Sequence, residues 1–178
     1  MAKKRKKSSA LGLALSAGAV IFAIAAVCMM FLNAVELVSG ENVLAQYTGV
    51  QVAFGYSETY PVFGEVKFLN FSFMNLLPYV LALGGGVVAV LAALSKKSFL
   101  LNVIAVACFV AAAVFFFTAA SYVSVAGSEG SSSWNALVKN IVNALKDGDN
   151  LKIAIGSILG GVFSSVAAAC SALKIFVK

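Results

Sequence analysis

The feature that leaves this chain the fewest choices is a set of four long apolar runs: about Ala10 to Leu32, Leu76 to Leu94, Phe99 to Val123 and Ile153 to Leu173. None of them holds an Asp, Glu, Lys, Arg or His. A hydrocarbon core about 30 Å thick is crossed by roughly 20 helical residues rising 1.5 Å each. Every run meets that length. A soluble protein would have to wrap four such helices in a polar body, and the residues between the runs are too few to build one. Only 11% of the 178 residues are charged, against about 25% in a soluble domain. The expected fold is therefore membrane all-α, a four-transmembrane-helix bundle with spans at 10–32, 76–94, 99–123 and 153–173.

Charge gives the expected orientation. Lys3, Lys4, Arg5, Lys6 and Lys7 lie in the basic segment 1–9 ahead of the first run. Lys96 and Lys97 fill the short connection 95–98, and Lys174 and Lys178 lie in the tail 174–178. No acid accompanies these residues. All seven acids, Glu36, Glu41, Glu58, Glu65, Glu129, Asp147 and Asp149, fall in the other two loops. Basic residues in short flanking segments stay on the cytoplasmic side, so both termini are expected there, in a multi-pass protein of the cell (plasma) membrane. The Lys3 to Lys7 cluster is then a membrane-surface feature, attracted to anionic headgroups by about 1 kcal/mol per residue, and no nucleic-acid partner is expected. The first run exceeds the apolar core of a secretory signal and lacks a small-residue cleavage site at its end, so it is read as an uncleaved anchor.

Two outer loops remain, at 33–75 and 124–152. In the first, Val50, Val52, Phe54 and Tyr56 alternate with Gln51, Ala53 and Gly55, the period of two that marks a strand. A second stretch runs from Glu65 to Phe73, and Ser57 to Gly64, with Pro61, connects the two as a β-hairpin. In the second loop Trp134, Leu137, Val138, Ile141 and Leu145 recur at helical spacing after Ser131, Ser132 and Ser133, which predicts an amphipathic helix over 134–146. That helix fits either in the interface plane or over the hairpin, and the second placement makes a small extracytoplasmic cap. Val52, Phe54, Tyr56, Trp134 and Ile141 are the expected partner surface of the cap. Pro78 is expected in the first turn of span two, where it costs no hydrogen bond.

Helix packing shows clearly in the fourth run, where Gly156, Gly160, Ser164, Ala168 and Ala172 recur every four residues beside Ser157, Gly161, Ser165 and Ala169. Gly85, Ala89 and Ala93 repeat the pattern in the second. Small residues let helix backbones approach closely inside a membrane, so spans two and four are candidates for tight contact, either within the bundle or with a partner. Ser16, Asn102, Thr118, Ser164 and Ser165 are expected to hydrogen-bond between helices.

Catalytic chemistry finds little support. There is no histidine, which removes the commonest general acid or base and the commonest metal ligand. Cys28, Cys108 and Cys170 sit in three different spans at three depths, so they are expected neither to share a metal nor to form a disulfide. Glu58 and Glu65 flank the hairpin turn and are the one pair of carboxylates placed to face each other, the basis of a disfavoured alternative of a membrane enzyme. No ionisable residue marks an ion path within the runs. A sequon, Asn70-Phe71-Ser72, lies in the first outer loop.

The span order, with inner ends and β structure ahead of span two, is similar to that of claudin-type and tetraspanin-type four-span proteins. The first outer loop lacks the Trp and paired-Cys signature of claudins, and the Cys-Cys-Gly motif of tetraspanins is missing too. The similarity is one of architecture.

The expectation is a noncatalytic membrane protein without a cofactor. It would act as an accessory, scaffold or assembly subunit through its outer cap and small-residue helix faces, with the lipid bilayer and a protein partner or a second copy as its contacts. The alternative is a small oligomeric channel or transporter for a neutral or lipid-like solute, with Phe115, Phe116, Phe117 and the Gly84 to Gly86 run along a greasy path.

Overall fold

The computed structural model describes residues 10–61, 64–95, 98–126 and 150–177. The chain enters as α1 (Ala10–Cys28), tightens into a 3-10 turn (Met29–Phe31), then forms β1 (Asn33–Ser39) and β2 (Asn42–Thr48). A short α2 (Gly49–Phe54) follows, then β3 (Tyr56–Tyr60), β4 (Gly64–Leu69) and α3 (Phe73–Leu94). After α4 (Ser98–Phe117) come a 3-10 turn (Ala119–Tyr122), β5 (Leu151–Ile153) and α5 (Ile155–Phe176). The stretches Ala10–Phe31, Phe73–Leu94, Phe99–Phe117 and Ile155–Phe176 are long and apolar enough to cross a membrane, which makes this a multi-pass membrane protein.

The four long helices form a ring in which α3 and α5 each pack on both α1 and α4 and face each other across the diagonal. The close contacts of spans two and four are made within the bundle, each with its ring neighbours rather than with each other. Their small residues receive α4 instead. A Cβ at Gly85 would stand 2.8 Å from the Phe109 ring, and one at Gly160 would stand 2.7 Å from the Phe116 ring. Phe109 and Phe116 are among the largest fully buried side chains and fill the bundle axis. Dispersion scales with such close approach, and it must hold the helices where lipid removes the hydrophobic incentive. Gly86 seats Ala23 of α1 in the same way.

The five strands of the described residues lie at one end of the bundle. β1 is central in a sheet of order β2-β1-β5, antiparallel on both sides, with Val35 opposite Tyr47 and Ile153, and Glu36 opposite Gln46 and Lys152. Ala34, Val35, Leu37 and Val38 are all buried, so β1 is covered on both faces and carries no alternation to betray it. Gly40 turns the chain between β1 and β2 with φ 64°. β3 and β4 form a second, two-stranded sheet. The segment after α4 adds to the edge of β4 through a bridge between Leu69 and Val125, supported by Asn70 N–H to Ser124 O (2.9 Å) and Ala126 N–H to Phe68 O (3.0 Å). One apolar cluster, including Val35, Val52, Leu69, Ala119 and Val123, joins both sheets to α2 and to the end of α4.

Two local expectations are corrected. Residues 49–54 are helix, although Val50, Val52 and Phe54 alternate. A capping box decides it: Gln51 N–H donates to Thr48 Oγ1 (3.3 Å), Thr48 N–H donates to Gln51 Oε1 (2.9 Å), and Gly55 closes the turn at φ 93°. Two first-turn donors are satisfied at once, and the helix buries Val52 and Ala53. Pro78 lies inside α3 because the helix starts at Phe73. It therefore removes a real hydrogen bond to the carbonyl four residues back.

Candidate functional site

The strand-bearing end, hereafter the capped end, collects most of the polar groups that the described residues hold in fixed geometry. Its tie to the bundle is made by backbone. Gly49 N–H donates to Leu32 O (3.1 Å), Ala154 N–H to Ala34 O (2.9 Å) and Ser72 N–H to Ala53 O (2.9 Å). Each bond satisfies a group that a helix or strand end would otherwise leave unpaired next to hydrocarbon. Beneath them Asn75, Tyr79 and Ser157 are buried around a gap, too tight for a water molecule, that Gly49 and Phe116 also line. A side chain at Gly49 would collide with the Tyr79 hydroxyl. Tyr79 stands edge-on to Phe116, centroids 5.0 Å apart. Asn75 Oδ1 and Ser157 Oγ have no partner there.

The expected partner surface divides. Val52 is 2% exposed and serves the core of the cap, so it offers nothing to a partner. Phe54 is 56% exposed and pairs with Phe71 at 6.4 Å between centroids. Tyr56 is half-buried between Tyr47 (6.1 Å, edge-on) and Phe68 (5.8 Å, stacked). Burial, followed by Glu58, holds its hydroxyl above the ordinary tyrosine value. Burial, then Tyr56 and Glu58, does the same for Tyr47. Trp134 and Ile141, with the whole predicted helix 134–146, lie outside the described residues, as do Lys3, Lys4, Arg5, Lys6 and Lys7.

A surface that alternation did not reveal is β2. One of its edges has no strand beside it among the described residues, and Val43 and Leu44 are 50% and 55% exposed. Consecutive residues of a strand point to opposite faces, so this part of β2 is bare on both. The Ser-Gly-Glu-Asn run at 39–42 was the available turn signal.

Glu58 and Glu65 are separated by the pairing of β3 with β4. Thr59 is opposite Glu65 and Glu58 is opposite Val66, which puts the two carboxylates on opposite faces of the hairpin. No group of three metal-ligating side chains gathers among the described residues. The sequon is also tied down: Asn70 Nδ2 donates to Val125 O (3.3 Å), and the buried Ser72 hydroxyl donates to Tyr122 O (2.8 Å).

Within the bundle Gly156, Gly160, Ser164, Ala168, Gly85 and Ala89 are buried, and Ala93 is half-buried. Gly156 abuts the backbone of Leu32 and Asn33. This small-residue face is consumed inside the chain. The hydroxyls differ from expectation as well, since Ser16, Thr118 and Ser165 donate to Gly12, Val114 and Gly161 O on their own helices. Such back-bonding spends the hydroxyl's one donor on its own helix. Ser157, Ser164 and Ser171, seven residues apart on α5, are buried without partners.

Comparison with protein-family models, with curated proteins and with solved structures finds no match to this chain.

Proposed function

We propose that the protein is a noncatalytic accessory, scaffold or assembly subunit of the plasma membrane, with both termini cytoplasmic and the capped end outside. The observation that carries the reading is the unpaired edge of β2 with Val43 and Leu44 exposed beside it. An open edge is a template for strand addition, and alternating side chains supply the specificity. The positive charge of the segments flanking the other end supports the orientation. The small-residue helix faces no longer belong to this proposal, because they seat Phe109 and Phe116 of the same chain. The channel alternative is disfavoured for a related reason: those two rings occupy the axis, so a solute path would have to run between copies.

Photo-crosslinkers placed at Val43 or Leu44 in the native membrane test the reading. Discrete protein adducts, either a partner or a second copy, are expected there. The same probe at Val80, on the exposed face of α3, should give lipid adducts. Absence of protein adducts from every cap position would sink the proposal.

A further inference from the structure

The end of the bundle away from the strands holds a polar layer that the packing of this chain leaves unfinished. It can be located by stepping down from the core. Ala23 of α1, Gly85 of α3, Phe109 of α4 and Ala167 of α5 share one level, tied by the Gly85 to Phe109 and Gly86 to Ala23 contacts and by their common apolar cluster. Seven residues is about two helical turns and returns to nearly the same face. That step, taken away from the strands on each helix, reaches Ser16, Ala92, Asn102 and Lys174. Ser171 lies one turn above Lys174. Asn102 and Ser171 are each 2% exposed, and Ser16 and Ala92 are buried with them, so the level is interior.

Among the described residues three groups in this layer have no partner: Asn102 Oδ1, the Ser171 hydroxyl and the Lys174 ammonium, each buried at the atom. Ser16 is already engaged with Gly12. A lysine in the last turn of a spanning helix ordinarily extends its charge to water, whereas Lys174 keeps its Nζ inside. Asn102 Oδ1 needs a donor, which the ammonium can supply, whereas the remaining Lys174 donors and the Ser171 hydroxyl need acceptors; what the layer lacks among the described residues is therefore an acceptor, and beside a positive charge an anionic one. Asn102 is four residues from the start of α4 and Lys174 two residues from the end of α5. That level is about where headgroups begin.

We propose that Lys174, Ser171 and Asn102 bind one phosphate group, supplied by the headgroup of an anionic phospholipid or by free inorganic phosphate. Lys174 has three N–H donors. One satisfies Asn102 Oδ1 and the others reach phosphate oxygens, while Ser171 O–H and the Asn102 amide N–H donate to the remaining ones. Every orphaned group is then paired, and the charge-assisted bonds carry the affinity.

The test uses the full chain in mild detergent after delipidation. Native mass spectrometry follows retention of added phosphatidylglycerol against phosphatidylcholine, for the wild type and for Lys174→Met, Lys174→Arg and Ser171→Ala. Retention of one phosphatidylglycerol by the wild type is expected, with a loss of about ten-fold in Lys174→Met, the scale of one charged hydrogen bond. Lys174→Arg should keep most of it and Ser171→Ala lose it several-fold. Inorganic phosphate is the second arm: displacement of the lipid by phosphate identifies a site open to the free anion, and lack of displacement identifies a lipid site. Equal phosphatidylglycerol retention by all four proteins overturns the proposal. So does a loss confined to Lys174→Met, because the ammonium would then act as a surface charge without the buried hydroxyl. If Lys174→Met fails to fold, as its melting in phosphatidylcholine nanodiscs would show, Ser171→Ala and Lys174→Arg decide the matter.

Discussion

The two ends of the bundle solve the same problem by different means. At the capped end, the Phe116 and Phe117 rings of α4 sit directly on Gly160 and Gly161 of α5, and backbone bonds from the strands finish the helix ends. At the far end the helices meet through alanines, with Asn102, Ser171 and Lys174 among them unpaired. The difference shows where this chain is complete in itself. Among the described residues the capped end pairs its polar groups internally except at Asn75 and Ser157, whereas the far end keeps a buried charge without a partner.

The contrast is broken most forcefully at Phe116. Phe116→Ala should cost about 3 kcal/mol, the low end for a buried aromatic, because lipid rather than water solvates the unfolded helices. Leu173→Ala, at an exposed position of the far end, should cost under about 1 kcal/mol. Equal losses in chemical unfolding from mixed micelles would erase the distinction between the ends.

Next comes overpacking. Gly160→Val must displace the Phe116 ring and should cost about 2 kcal/mol. Gly84→Val, where a Cβ meets nothing within 4 Å, should be close to neutral. The pair separates a seat for a ring from a glycine that merely lines a helix.

Thr48→Ala removes the capping box of α2, a loss of about 1 kcal/mol. Its signature is local: faster hydrogen exchange at residues 49–54 and along β3, with α1 and α5 unchanged.

The smallest effect is a pH dependence confined to the cap. The hydroxyls of Tyr47 and Tyr56 are held above their ordinary 10.0 in the folded chain. The unfolded state therefore loses its protons first, and stability present below pH 10 falls as pH rises beyond it. Tyr56→Phe should flatten that decline in thermal scans, and an unchanged slope would show that the Tyr47, Tyr56 and Glu58 cluster is not what titrates.

How much of this was legible in the sequence depends on range. The spans were, because twenty uncharged apolar residues have few other fates. The residues that demand close approach were legible too, but their partner was not: a small side chain announces a hole, and the knob that fills it stands on another helix. Here the knobs are Phe109 and Phe116, the second of them in a run that resembled a lipid-facing or solute-lining stripe. The strands were least legible. β1 is buried on both faces and follows a span without a break in polarity, and β5 has three residues whose one strand neighbour among the described residues is β1. Residues 50–56 carried two signals, alternation and a Thr-x-x-Gln box, and the local hydrogen bonds prevailed. The far-end layer was visible only in part, since Asn102 was noted but the seven-residue spacing of Ser157, Ser164 and Ser171 needed the bundle to show that it faces inward.

The pairing of β1 with β5 has a consequence for biogenesis. β1 leaves the ribosome directly after the first span, while β5 emerges only when the third has been made. Until the third span is made and β5 follows it, the central strand lacks one neighbour and Ala34 O lacks the Ala154 N–H that it accepts in the finished protein. Completion of this sheet is therefore a built-in record that the third crossing has been made, and a chain stalled after two would display an open edge to whatever surveys the membrane for unfinished proteins.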